Sequence, residues 1–159
     1  MLKSLAIAAI AALFAATASA APATPEAVKA LLESMDTTDI ETERVDDAIV
    51  RIDATRQGYN FTVRLMDCND GTNCVSAMIF ATFNVDARPT LADFIDINEY
   101  NDSYPFGRAF LIGDTETDGY LIGVDYAFSM ADENMFGASE VNLFFVILDS
   151  LIAHMQETG

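Results

Sequence analysis

The sequence predicts an α+β fold, an antiparallel sheet of about five to six strands with helices packed on it. In three segments the apolar residues recur at helical spacing, and in the stretches between them they alternate with polar residues, which is the spacing of strands. Short polar turns separate these strands, so neighbours pair as hairpins and the helices lie apart from them. The expected order is α-β-β-β(β)-α-β-β-α.

The first predicted helix starts at residues 24–26 and runs to about Met35. Thr24 is an N-cap candidate, Pro25 fits the first turn, and Glu26 complements the positive helix end. The apolar positions that follow are spaced i, i+3, i+4 and i+7, as expected for a helix with one buried stripe.

From residue 40 to residue 85 the period changes to two. Residues 40–45 are a weak, polar strand candidate, while residues 48–54 and 59–66 alternate as half-buried strands do. Residues 74–85 are apolar at nearly every position. We therefore expect this last strand to be central in the sheet and covered on both faces.

The second predicted helix spans roughly residues 91–101, after a capping box formed by Thr90 and Asp93. Leu91, Phe94 and Ile95 begin its apolar stripe. Residues 106–113 and 119–128 then form a second hairpin. Four polar side chains near this junction are expected to tie the helix to the next strand, with a ligand-contacting patch as the alternative. They are Asn98, Glu99, Asn101 and Arg108.

The last predicted helix begins near Asp132 or Ser139 and runs to about Gln156. One apolar stripe runs along the helix at helical spacing from Val141 to Met155, and a second apolar face adds Leu143, Val146 and Ile147. Such a helix either buries more than one side between the sheet and other helices, or presents these three residues to another molecule. They are the candidate partner surface.

The N-terminal residues are typical of an export signal. Lys3 precedes an apolar stretch over residues 5–16, and residues 18–20 (ASA) form a small-residue cleavage site. A retained anchor is disfavoured because that stretch is shorter than the roughly 20 residues of a spanning helix, and no later segment is expected to span. We predict a signal peptide at residues 1–20, then one soluble domain at residues 21–159, periplasmic or secreted.

Cys68 and Cys74 lie six positions apart in a chain predicted to be exported, across an Asn-Asp-Gly turn sequence. This pattern predicts a disulfide that staples a hairpin. A redox-active pair is disfavoured because the spacing differs from Cys-x-x-Cys and nearby acids oppose a reactive thiolate. A zinc site is also disfavoured, since His154 is the only histidine and is distant in sequence.

Charge limits the classes of partner. Lys3 is the only charged residue among the first 20, so residues 21–159 carry 7 basic and 25 acidic side chains, a net charge of −18. Such a surface repels nucleic acid and anionic membrane. A basic partner protein or divalent cations stay open as alternatives to a purely solubilising role.

Reaction chemistry is not indicated, and we expect no catalytic residue, cofactor or metal. His154 falls in the last turn of a helix, where a cation complements the helix dipole. Ser139 and Ser150 lack a base in a recognisable arrangement. Residues 114–119 (DTETDG) resemble the start of a calcium-binding loop, but the flanking strands favour an ordinary hairpin turn.

Four segments together resemble the YbjN-domain family, in particular its exported, cysteine-stapled members. They are residues 60–74 (NFTVRLMDCNDGTNC), 97–101 (INEYN), 106–111 (FGRAFL) and 132–136 (DENMF). The resemblance implies a fold like that of type III secretion chaperones, often dimeric, and a role described as sensory transduction regulation without catalytic residues. The chain departs from the family in having no tryptophan and in carrying Tyr100 where tryptophan is common.

These observations predict a non-enzymatic periplasmic module that binds a protein or peptide, chaperone-like or regulatory in envelope signalling. A homodimer is one form of such binding. Two alternatives are a structural or stress-related envelope protein without a specific client, and an uncharacterised enzyme.

Overall fold

The computed structural model describes residues 20–70, 72–113 and 119–158. Its elements confirm the predicted α+β class and the predicted order, with two additional three-residue strands, β1 and β8. They are β1 (Ala20–Pro22), α1 (Pro25–Glu33), β2 (Thr38–Arg44), β3 (Val50–Arg56), β4 (Tyr59–Met66), β5 (Ser76–Val85), α2 (Leu91–Ser103), β6 (Arg108–Gly113), β7 (Tyr120–Ser129), β8 (Met135–Gly137) and α3 (Ala138–Thr158).

Six strands form one antiparallel sheet in the order β2-β3-β4-β5-β7-β6. Ile52, Val63, Ile79 and Tyr126 are successive cross-strand partners. Because side chains alternate across a sheet, this row and the rows two residues away share one face. That face packs against the described helices and joins their buried residues in a single core.

β5 lies in the interior of the sheet as predicted, but the prediction that it is covered on both faces is wrong. Ala77, Ile79 and Ala81 are buried, whereas Met78 and Phe80 on the other face are only half-buried. The buried residues of all three described helices belong to the core on the first face. None of the helices in residues 20–70, 72–113 and 119–158 therefore covers the second apolar face of β5.

α1 starts where its capping residues place it. The Thr24 hydroxyl accepts a hydrogen bond from the Ala27 N–H at 3.3 Å, and Pro25 occupies the first turn. Val28, Leu31 and Leu32 are buried, which matches the predicted stripe.

α3 crosses the covered face as a core helix. Its Phe144 and Phe145 rings pack on Phe61 of β4, with ring centroids 6.2 and 5.3 Å away. By length and composition alone, residues 138–157 would also suit a membrane span, contrary to the expectation that no later segment would. The apolar stripe of this helix packs against the sheet, and 33% of an 18-residue window within residues 138–157 is buried.

The segment that follows the predicted signal is built into the fold. β1 pairs with β8, with Ala21 opposite Phe136, and the Cys74 N–H donates to the Ala23 carbonyl at 2.8 Å. Ala20, the last residue of the predicted signal peptide, is the first residue of β1. The rest of that signal, residues 1–19, lies outside the described residues.

Candidate functional site

The candidate site is the face of the sheet opposite the helices, which we call the open sheet face. Cross-strand pairs place its side chains together: Arg64 opposite Met78, Phe80 opposite Asp125, and Phe110 opposite Gly123. It consists of Arg64, Met66, Met78, Phe80, Arg108, Phe110, Ile112, Leu121, Gly123 and Asp125. These residues come from four adjacent strands, so the face is formed only when the whole sheet is assembled.

The centre of the open sheet face is apolar. Met78, Phe80, Phe110 and Leu121 are half-buried, and Ile112 is 48% exposed. The Phe110 ring lies over Gly123, where a side-chain β-carbon would come within 2.7 Å of the ring and 2.6 Å of the Ala81 carbonyl. Glycine at this position lets the aromatic ring approach the backbone of β7 closely.

Charged side chains lie beside this apolar centre. The Arg108 guanidinium forms an ion pair with Asp125, a carboxylate that is buried on this face although Arg108 itself is largely exposed. The hydrogen bond to Asp125 raises the pKa of Arg108. The Arg64 guanidinium lies 5.4 Å from the centroid of the Phe80 ring, as in a cation–π contact. The buried acid is thus paired, which is the condition under which a charge is stable there.

An open pocket of about 350 Å³ adjoins Phe80 at the β2 side of the sheet. Asp39, Glu41 and Asp53 line it together with Thr55, Thr62 and Thr82. Asp53 accepts hydrogen bonds from the Arg51 Nε at 2.9 Å and the Thr62 hydroxyl at 2.6 Å. The pocket is therefore a polar, acidic neighbour to an apolar strip, an arrangement suited to an apolar segment that also carries a donor or a cation.

The predicted disulfide between Cys68 and Cys74 is present. Around it, Asn69 and Asn73 pair as a β-bridge, and Arg44 donates to the Asp70 carbonyl at 3.0 Å. Both sulfur atoms are used in this bond, which closes the β4–β5 connection on itself.

The predicted polar junction is made chiefly by Asn101. Its side chain accepts from the Ala109 N–H at 2.7 Å and donates to the Ala109 carbonyl at 3.0 Å, which ties α2 to β6. Arg108 projects to the open sheet face instead, and Asn98 and Glu99 are exposed on the outer side of α2. A ligand-contacting role for these residues stays a prediction.

The candidate partner surface on α3 is smaller than the sequence suggested. Val146 is 64% exposed, but Leu143 is half-buried and Ile147 is buried. The last two pack in the interior because α3 contacts both the sheet and α2. Val146 is what remains of that surface, and its role in binding stays a prediction.

α2 turns a different face to the core from the one that its sequence predicted, a stripe beginning with Leu91, Phe94 and Ile95. These three are exposed, and Ile97 and Tyr100 point inward. The Tyr100 hydroxyl donates to the Ile147 carbonyl at 3.1 Å and lies 2.7 Å from the Ser150 hydroxyl. These bonds and the two hydrogen bonds between Asn101 and Ala109 set the rotation of α2. Burial also raises the pKa of the Tyr100 hydroxyl.

His154 joins α3 to α2. One ring nitrogen lies 3.0 Å from a carboxylate oxygen of Asp96, and the ring packs 5.4 Å from that of Tyr100. Within residues 20–70, 72–113 and 119–158, no three His, Cys, Asp or Glu side chains converge in a way that could hold a metal ion. The calcium-loop resemblance falls mainly on residues 114–118, which lie outside the described residues.

Sequence reasoning missed the open sheet face because Met78 and Phe80 were interpreted as buried under a second layer. The signal that could have found it is the number of helices. A sheet of this width needs helices on both sides to cover two apolar faces, and three predicted helices suffice for one.

The model of the YbjN family, described as "putative bacterial sensory transduction regulator", matches residues 24–138. The match runs from the N-cap of α1 to the first residue of α3, so the chain belongs to the YbjN family. That description names a regulator rather than an enzyme, and the Cys68–Cys74 disulfide is consistent with the cysteine-stapled members. No curated protein and no solved structure matches the chain significantly.

Proposed function

We propose that this chain is a non-enzymatic module of the bacterial periplasm that binds a protein or peptide and regulates envelope signalling. The observation that carries the proposal is the open sheet face, where Met and aromatic side chains of β4, β5 and β6, together with Leu121 of β7, lie uncovered by the described helices. Contiguous apolar surface of this kind is a common mark of an interaction site.

The chemistry of the open sheet face suits an apolar peptide segment. Covering apolar surface yields about 25 cal/mol per Å², so a partner that buries Phe80 and Phe110 gains binding energy without any reaction. Met78 is flexible and can adjust to different side chains. The acidic pocket beside Phe80 adds polar contacts that orient the bound segment.

A binding role is also supported by how the titratable groups are distributed. Both cysteines are in the disulfide, and His154 is held between α2 and α3. The groups with shifted pKa values among the described residues lie on different elements or faces: Asp93 caps α2, Tyr100 is beneath it, and Arg108 and Tyr126 project from opposite sides of the sheet. Catalysis needs such groups to converge.

The proposed location and role have separate support. A disulfide is stable in an oxidising compartment, and the N-terminal pattern of residues 1–20 is that of an export signal. The description of the YbjN family supports a regulatory role.

The test is site-specific photocrosslinking in the periplasm. A photoreactive phenylalanine analogue replaces Phe80 in one variant, Val146 in a second and Lys29 in a third. We expect a discrete adduct at position 80 and none at position 29. Adducts at 146 but not at 80 would move the site to α3, and no adduct at either position would support a structural envelope protein without a client.

A further inference from the structure

The outer side of α2 is a second surface that the described part of the chain leaves uncovered. Leu91 is 76% exposed, Phe94 46% and Ile95 50%, although all three are large and apolar. Asn98, Glu99 and Asp102 continue the same helical face, since the six residues are spaced i, i+3, i+4, i+7, i+8 and i+11. We call these six residues the α2 docking face. Its first two turns are apolar, and its last turn is acidic.

The charge of the surroundings decides which partner fits. α2 contains four acidic residues and no basic one. Asp93 is engaged in the capping box and Asp96 lies beside His154, while Glu99 and Asp102 point to solvent. Elsewhere, five of the seven basic residues of segment 21–159 already have internal partners: Arg44, Arg51, Arg56, Arg64 and Arg108.

A second copy of this chain is a poor occupant of the α2 docking face. If two such helices pair in parallel, Glu99 and Asp102 of both copies face each other, and like charges at helix spacing repel. If they pair antiparallel, the acids of one copy face the apolar turns of the other and lose water without gaining a partner. The net charge of −18 opposes either arrangement.

We propose that the α2 docking face binds a cationic amphipathic helix of a partner protein. The partner's aliphatic side chains cover Leu91, Phe94 and Ile95, and its lysines or arginines pair with Glu99 and Asp102. This is packing of one amphipathic helix face against another, with contacts at i, i+3, i+4 and i+7. The proposal shares with the proposed function the idea that the chain works by binding proteins, but it concerns a different surface.

The test measures binding of a defined probe by fluorescence anisotropy. The probe is a labelled peptide of about 18 residues, long enough to be helical, with leucine at i, i+3, i+4 and i+7 and lysine elsewhere. A matched peptide carries glutamate in place of lysine. We expect the lysine peptide to bind and the glutamate peptide not to bind, with affinity falling between about 50 mM and about 500 mM salt.

Two variants of the protein locate the contact. Phe94→Ser should weaken binding about tenfold, the effect of losing a central aromatic contact. The double variant Glu99→Gln/Asp102→Asn should weaken it about fivefold. The matched controls are Val75→Ser, an apolar residue that is 45% exposed between β4 and β5, and Asp132→Asn/Glu133→Gln, which removes two charges from the exposed connection before β8. Both controls should bind as the wild type does.

Equal weakening by Asp132→Asn/Glu133→Gln and by Glu99→Gln/Asp102→Asn would show general charge attraction and overturn the proposal. A wild-type dimer in light scattering that Phe94→Ser dissociates would identify a second copy as the occupant and would also overturn it. Crosslinking at position 80 tests binding to the open sheet face independently of the α2 docking face. Adducts there without peptide binding would therefore reject this inference and leave the proposed function standing.

Discussion

Gly107 lies directly against Ile147 of α3. A β-carbon at position 107 would come within 2.4 Å of Ile147 Cγ2 and 3.3 Å of the Asp125 carbonyl. Gly107 belongs to the Phe-Gly-Arg-Ala segment that carries part of the YbjN resemblance, so the requirement for glycine there follows from the close approach of the last helix. The absence of a side chain is what lets α3 rest on the start of β6.

Replacing Gly107 with alanine should therefore destabilise the fold. Overpacking of this kind costs about 1–3 kcal/mol because either α3 or the strand must shift. We expect the Gly107→Ala variant to unfold at a lower urea concentration than the wild type, as followed by far-UV circular dichroism. Gly113→Ala is the matched control, since a β-carbon at position 113 meets no atom within 4 Å.

A double-mutant cycle identifies the cause of that loss. In an Ile147→Ala background the space occupied by the isoleucine is free, so adding alanine at position 107 should cost less than it does in the wild type. Strictly additive costs would show that the strain at Gly107 does not come from Ile147.

The exposures of Val146 and Ile147 predict opposite outcomes for adjacent substitutions. Val146→Asp places a charge in solvent and should change the free energy of unfolding by less than about 0.5 kcal/mol. Ile147→Asp buries an unpaired carboxylate and should abolish the cooperative unfolding transition. An Ile147→Asp variant as stable as Val146→Asp would contradict the packing of α3 described above.

Most elements could be predicted because their signals are local. Alternation in residues 59–66, the capping residues of α1 and the stripe of α3 depend on neighbours within a few positions, and the structure has them where the patterns indicate. β1 and β8 could not be predicted because each has three residues, and its pairing depends on a partner more than 100 positions away.

The rotation of α2 could not be read from its sequence for a different reason. Leu91, Phe94 and Ile95 form one apolar stripe, and Ile97 and Tyr100 offer another, so periodicity alone does not decide between them. The choice depends on hydrogen bonds from Tyr100 to Ile147 and Ser150, about 50 residues later in the chain. The α2 docking face is a consequence of this rotation, because the apolar stripe that the sequence predicted to be buried is turned to solvent.

Loss of the disulfide should lower stability by a moderate amount without changing the fold. The bond closes a short loop, for which chain entropy predicts about 2 kcal/mol, and Cys74 also holds Ala23 through its backbone N–H. We expect the Cys68→Ser/Cys74→Ser variant to unfold at a lower urea concentration than the wild type, with a free energy of unfolding lower by about 2 kcal/mol. Dithiothreitol should lower the midpoint of the wild type and leave that of the double variant unchanged. A wild-type midpoint indifferent to reduction would contradict the prediction.

The buried hydroxyl of Tyr100 makes stability depend on alkaline pH. Burial raises its folded-state pKa above the ordinary value of 10.0. The protonated form is thus favoured in the folded state, so this contribution to stability is fully present below pH 10 and is lost as pH rises through the raised pKa. Tyr126, whose pKa burial also raises, contributes with the same sign. Urea unfolding of the wild type should therefore become easier above about pH 10.

Substituting phenylalanine separates the two effects of Tyr100. Tyr100→Phe loses the hydrogen bonds to Ile147 and Ser150, so it should be less stable at pH 7 by about 1 kcal/mol. It should also lose stability less steeply than the wild type above pH 10, because the group that titrates is gone. Adding Tyr126→Phe should flatten the dependence further. A Tyr100→Phe variant whose stability falls as steeply as that of the wild type would show that the Tyr100 hydroxyl is not a source of the alkaline sensitivity.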